Sequence, residues 1–214
     1  MPAITEFLVM MLLVTDVALL GLSLLDKCIQ VVAVQGVLLG ILAITVQSGH
    51  LTVRVISIAL VTVLLKGFVF PVLWRRAVRE AGVHRELEPY TGYIVSIFLG
   101  ILLFGFSVWL GGKLDLDAAP DLAWLVPAAL STLFTGLLLI IARKQALTQS
   151  LGYIVMENGI YAFGIATVGE IPALVELGIL LDAFVAVLVM GIAIYHINRE
   201  FDHMDSDRLS SLKG

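Results

Sequence analysis

Five ionisable residues fall inside long apolar runs of this sequence: Asp16, Lys66, Glu157, Glu176 and Asp182. A charged side chain at the centre of a membrane helix costs roughly 2.5 to 3.5 kcal/mol on insertion scales, so each must face protein or internal water rather than lipid. The chemistry open to such groups is proton uptake and release. Desolvation favours the neutral form of a carboxyl and a neighbouring lysine favours the charged form, and a group held between the two can exchange its proton near neutral pH. The set sums to four acids and one base, so at most one acid can pair with Lys66 and the others need protons, water or outside partners. The plain alternative is a permanently protonated carboxyl, or a static ion pair that only fixes helix packing.

Local context adds detail. Gln149, Tyr153, Glu157 and Tyr161 recur at four-residue intervals, which on a helix predicts a polar stripe centred on the glutamate. Lys66 is followed by Pro71, whose missing N–H leaves the carbonyl of Gly67 without its helical partner and predicts a bend beside the lysine. Glu176 and Asp182 lie about 9 Å apart along a helix axis and about 120° apart around it, so they address different neighbours at different depths. Gly159, Gly164 and Gly178 are small positions that allow close approach of helices.

The elements that must position these groups follow from composition. The chain has 214 residues, of which 60% are hydrophobic and only 14% charged, against roughly 25% charged in an ordinary soluble domain. That excludes a water-soluble globular domain. Seven apolar runs are long enough to cross a hydrocarbon core: Ala3 to Leu25, Gln30 to Val46, Leu51 to Trp74, Gly92 to Leu110, Leu122 to Ala142, Leu151 to Val168 and Ile171 to Ile197. Lipid cannot satisfy backbone polar groups, so each is expected to be a helix, giving an all-α polytopic membrane protein with seven transmembrane helices. Met1 to Glu6 carries no basic residue, so the first span is expected to stay in place rather than act as a cleaved signal. A single cysteine, Cys28, and the lack of any Cys/His spacing typical of a metal or haem site predict that the chain binds no cofactor and no metal itself. A net charge of −4 offers no basic face for nucleic acid.

The basic residues give the orientation. Lys27, Arg75, Arg76, Arg79, Arg85, Arg143, Lys144, Arg199, Arg208 and Lys213 fall on alternate connections and the C-terminus, whereas the other side has only Arg54 and Lys113. This predicts an external N-terminus and a cytoplasmic C-terminus. Asp115, Asp117 and Asp121 place the loop that holds them outside, and Trp74, Trp109 and Trp124 read as interfacial anchors.

The run RKQALTQSLGYIVMENGIYAFG, followed by IPALVELGILLDAFVAVLVMGIAIYHINR, resembles the C-terminal half of component E, a membrane subunit of hydrogenase-4 and formate hydrogenlyase complexes. Lys66 with Pro71, Gln35 in the second span and the ending Leu-Lys-Gly fit the same family. That family in turn is similar to subunit K of complex I in its last three helices, as is the small C-type component of multisubunit sodium/proton antiporters. The resemblance implies a four-helix part over 1–111, a three-helix part like subunit K over 121–197 and a cytoplasmic tail over 198–214. It implies that Glu157 and Asp182 hold the two carboxylate positions of a polar chain along the membrane arm, while Asp16 lies outside the family pattern. It also implies a non-catalytic subunit in the cell inner membrane, partnered by antiporter-like membrane subunits, by a membrane subunit of the complex I H type, and by peripheral hydrogenase subunits that carry the nickel–iron centre and iron–sulfur clusters.

Two other readings compete with this one. The chain could belong to a cation/proton antiporter without redox partners, although the antiporter counterpart has only the three-helix part. It could also be a scaffold whose charges join larger subunits. The topology has its own test: reporter fusions after Arg79 and after Asp117 are expected to report opposite sides of the membrane, and the same side for both would overturn the seven-span arrangement.

Overall fold

Each apolar run closes its hydrogen bonds within itself, because neighbouring lipid would offer none. The computed structural model describes residues 2–47, 53–80, 90–114, 122–167 and 191. Its elements are helices: α1 Pro2–Gly21, α2 Leu25–Val46, α3 Val53–Leu64, a π-helical turn Leu65–Val69, α4 Phe70–Glu80, α5 Tyr93–Gly111, α6 Leu125–Ala142 and α7 Ala146–Thr167. The π turn joins α3 and α4 into one continuous rod. By length and composition, α1, α2, that rod, α5 and α6 are five helices able to cross a membrane. α7 has 22 residues, or about 33 Å at 1.5 Å per residue, and is more polar. The expected seventh span, with Glu176 and Asp182, lies outside the described residues except for residue 191, as does the tail over 198–214.

Two helices begin earlier than the hydropathy suggests. α2 starts at Leu25 rather than Gln30, with Asp26 in its first turn, where a negative charge meets the positive end of the helix dipole. α7 starts at Ala146 rather than Leu151, which puts Glu157 at its midpoint.

The basic residues of alternate connections come together at one end of the bundle. Arg143 is buried, donates from Nη2 to the carbonyl of Leu20 at 2.9 Å and lies 4.6 Å from the centre of the Tyr93 ring. It thereby covers one of the carbonyls that the last turn of α1 leaves unpaired. The backbone N–H of Tyr90 donates to Ala142 at 2.9 Å, Lys144 sits over the Tyr90 ring, and Arg75 pairs with Asp26 at 3.3 Å.

Packing divides the interior into two apolar clusters that follow one another along the helices. The one nearer the basic end includes Leu20, Ile29, Val32, Trp74, Leu151 and Val155. The other includes Leu8, Leu12, Leu39, Ala129, Ala162 and Ile165. Trp74 is therefore no interfacial anchor. It is fully buried and packs edge-on against Phe70 at 5.9 Å, because the rod turns this face inward below Lys66, whereas Trp109 and Trp124 remain exposed. α5 lies at the periphery: Ser96, Gly100 and Ser107 are its buried residues, and Ile94, Phe98 and Ile101 point outward.

Glycine sets the closest contact, between α6 and α7. A Cβ on Gly136 would overlap the backbone of Met156 and the carbonyl of Gly152, and one on Gly159 would overlap the backbone of Leu133. These neighbours are main chain and cannot rotate away. Gly136→Ala is therefore expected to destabilise the folded chain by about 1 to 3 kcal/mol, as overpacking does, and to reduce its amount in the membrane. Gly105→Ala, with open space around the added carbon, is expected to be neutral in the same thermal and accumulation measurements. Equal effects of both changes would contradict this packing.

Candidate functional site: a charged cluster at mid-bundle

Between the two apolar clusters, α1, α2, the rod, α6 and α7 each contribute at least one polar side chain at the same height: Asp16, Gln35, Lys66, Thr132, and Glu157 with Asn158. All are buried, with Lys66, Glu157 and Asp16 at 4%, 3% and 2% exposure. Lys66 reaches this position through the π turn. There the N–H of Phe70 donates to the carbonyl of Leu65, five residues back instead of four. The irregularity predicted from Pro71 thus takes the form of a widened turn just before the proline, a common way to absorb a missing donor and one often found at functional sites. Gly36 on α2 makes room, since a Cβ there would overlap Cβ of Lys66.

The lysine Nζ donates to Oε1 of Glu157 at 2.6 Å and to Oδ1 of Asn158 at 3.0 Å. Its partner is thus the glutamate, among the acids the sequence left open. Asn158 Nδ2 donates to Oε1 of Gln35 at 3.3 Å. Gln35 Nε2 then donates to Oδ1 of Asp16 at 2.8 Å and to the Thr15 hydroxyl at 3.1 Å. On the far side of Asp16, Oδ2 lies 2.8 Å from the Thr132 hydroxyl. The network thus runs continuously from the rod and α7 across α2 to α1 and α6. Glu157 Oε2 is buried and has no hydrogen-bond partner among the described residues.

Tyr161 stands beside the lysine, with Nζ 5.7 Å from its ring centre. The rest of the expected stripe does not join. Gln149 donates to the carbonyl of Arg143 at 2.9 Å, and Tyr153 is 38% exposed. The reason is geometric: a four-residue step overshoots a 3.6-residue turn by about 40°, so Gln149 and Tyr161 differ by about 120° around α7. Asn158 and Thr132 were missed by sequence reasoning. Asn158 directly follows Glu157 in the MENG segment, and Thr132 lies with Ser131 and Thr135 in an otherwise apolar span. Asp16, set aside by the family pattern, belongs to the network. Glu176 and Asp182 lie outside the described residues.

Fold and site together define a helical membrane protein with a charged, hydrogen-bonded layer buried at mid-span. Over 161 residues the chain is 30% identical to the uncharacterized protein Rv0085 of Mycobacterium tuberculosis, a match spanning 74% of this chain and 72% of that one. It is 29% identical over 149 residues to hydrogenase-4 component E of Escherichia coli K12, spanning 70% of this chain and 69% of that one, and equally so to hydrogenase-4 component E of Shigella flexneri. No family model and no solved structure matches the chain. The chain is thus a homologue of hydrogenase-4 component E along 70% of its length.

Removing one partner of a buried ion pair leaves the other uncompensated, at a cost of about 3 to 5 kcal/mol, whereas replacing both by apolar groups is often close to neutral. Lys66→Met alone is accordingly expected to lower the thermal transition and membrane level of the chain more than Lys66→Met combined with Glu157→Leu. A double variant no more stable than the single one would show that the pair is not the dominant contact of Lys66.

Proposed function

We propose that this chain is a non-catalytic membrane-arm subunit of a complex I-like hydrogenase or formate hydrogenlyase complex in the cell inner membrane. Its buried carboxylates and lysine move protons, or sodium ions, in step with redox chemistry on other subunits. The nickel–iron centre and iron–sulfur clusters sit on peripheral partners, and the membrane partners are antiporter-like subunits and one of the complex I H type. The N-terminus is external and the C-terminus cytoplasmic, in keeping with the gathering of basic residues at one end of the bundle. The name of the Escherichia coli relative, a hydrogenase component, supports the assignment to such a complex.

The observation that carries the mechanism is the Lys66–Glu157 pair with one glutamate oxygen unengaged. A proton arriving at Oε2 neutralises Glu157. The lysine keeps its charge and its bond to Asn158, and it stays joined to Asp16 through Asn158 and Gln35. Release of that proton restores the original pairing. One proton step at α7 therefore changes the balance of charge across the width of the bundle, and the resemblance to component E adds Asp182 as the second carboxylate of the relay.

An amide keeps most hydrogen bonds of a protonated carboxyl but cannot release a proton at neutral pH. Glu157→Gln and Asp182→Asn are expected to leave the complex assembled and its redox turnover present while lowering, several-fold, the protons moved into vesicles per hydrogen or formate consumed. Ile94→Val, on the outer face of α5, should change nothing. Unchanged coupling in both carboxyl variants, with assembly intact, would remove the relay and leave a scaffold.

A further inference from the structure

The polar layer contains a feature that a simple proton wire would not have. Lys66 in its charged form is donor-only, which fixes Oδ1 of Asn158 toward it. The Asn158 Nδ2 group then faces Oε1 of Gln35, and Gln35 Nε2 faces Asp16. Every donor along the line points from the lysine toward the aspartate, so the positive charge at one end is matched to an acceptor at the other. Yet both intermediates are neutral amides, which do not surrender a proton near neutral pH. The line passes charge and orientation, and it blocks protons.

Asp16 consequently needs an entrance of its own. A mostly apolar cavity of about 360 Å³ lies between α1, α5 and α6; Asp16, Ser131 and Thr135 line its polar part, and Val14, Phe104 and the outward-facing Ile101 are among its walls. It has room for water beside the three polar side chains, where a water would find partners. The elements packed against Asp16 offer Thr15 from α1, Gln35 from α2, Gly100 and Phe104 from α5, and Ser131, Thr132 and Thr135 from α6. None of these titrates, so the charge nearest to it along the network is Lys66, beyond the two amides.

Thr132 lets the aspartate change state without breaking the line. Its hydroxyl oxygen is 2.8 Å from Asp16 Oδ2 and 3.0 Å from the carbonyl of Ala128, and its one proton can serve either. With Asp16 ionised, Thr132 donates to Oδ2. With a proton on Oδ2, Asp16 donates to Thr132, and the threonine proton turns to Ala128. Oδ1 accepts from Gln35 in both arrangements.

We propose that Asp16 is a second proton-loading site, filled through the cavity between α1, α5 and α6 and coupled to the Lys66–Glu157 pair by charge through the Gln35–Asn158 bridge. Gln35, Asn158 and Thr132 are positioning residues. This rests on the relay reading above, and its failure is separable from the failure of that reading.

The test uses the assembled complex in membrane vesicles, with Cys28→Ser in this chain. Ser131→Cys should react with a charged, water-soluble methanethiosulfonate, read as a mass increase on this chain, and the reaction should lower coupled proton movement several-fold. Phe98→Cys, outside the cavity on α5, should stay unmodified. An unmodified Ser131→Cys would overturn the aqueous entrance. Thr132→Val should reduce coupling and Thr132→Ser, which keeps the hydroxyl, should restore it; equal loss in both would reduce Thr132 to a packing residue and overturn its role. Asp16→Asn should lower coupling with redox turnover retained. Wild-type coupling in Asp16→Asn beside a loss in Glu157→Gln would overturn the second site and leave the relay standing, whereas no loss in either would overturn both.

Discussion

The ammonium group of Lys66 is the constraint that organises this bundle. It is buried, with the apolar cluster around Phe70 and Trp74 of its own rod on one side. Its charge has to be met sideways. The consequence is a layer in which four neighbouring helices turn polar groups inward at one height, while the residues above and below stay apolar. The π turn and Gly36 follow from the same demand, one aiming the lysine and the other clearing its path.

Such a layer contributes little to stability. Taking two charges out of water costs several kcal/mol per ion, and well-packed apolar residues of similar volume often serve as well or better. What holds the helices is the apolar packing on either side and the glycine seam between α6 and α7. That seam matters to the site because it fixes the height and rotation of α7, so that Glu157 faces the rod while Asn158, about 100° further round, reaches α2. The charged layer therefore sits inside a frame that does not depend on it for cohesion and can change its protonation with the frame intact.

Much of this was legible in the sequence. The helical spans, the alternation of basic residues and the charges needing protein surroundings all follow from the intolerance of lipid for unpaired polarity. Less legible was which acid meets the lysine, since Glu157 lies 91 residues further along the chain and pairing across helices depends on rotation that hydropathy does not encode. The four-residue stripe on α7 misled because its drift around the helix is small per step and large over three steps. Asn158 and Thr132 carry no charge and attract no attention in an apolar run. Asp16 lies outside the family pattern, which weighs shared positions, whereas its hydrogen bonds to Gln35 and Thr132 are particular contacts. Trp74 has the composition of an anchor and the position of a core residue, and only the inward turn of the rod separates the two.

The order in which the layer's members lie along the chain has a consequence for biogenesis. Asp16 and Gln35 belong to adjacent helices and can meet as soon as α2 has been synthesised, but Lys66 must enter the membrane before either of its hydrogen-bonded partners on α7 exists. During translation the nascent chain therefore passes through a stage in which the lysine has been made and Glu157 has not. A chain cut short between α4 and α7 would hold the lysine without Glu157 and Asn158, and so would differ from the finished one at mid-bundle.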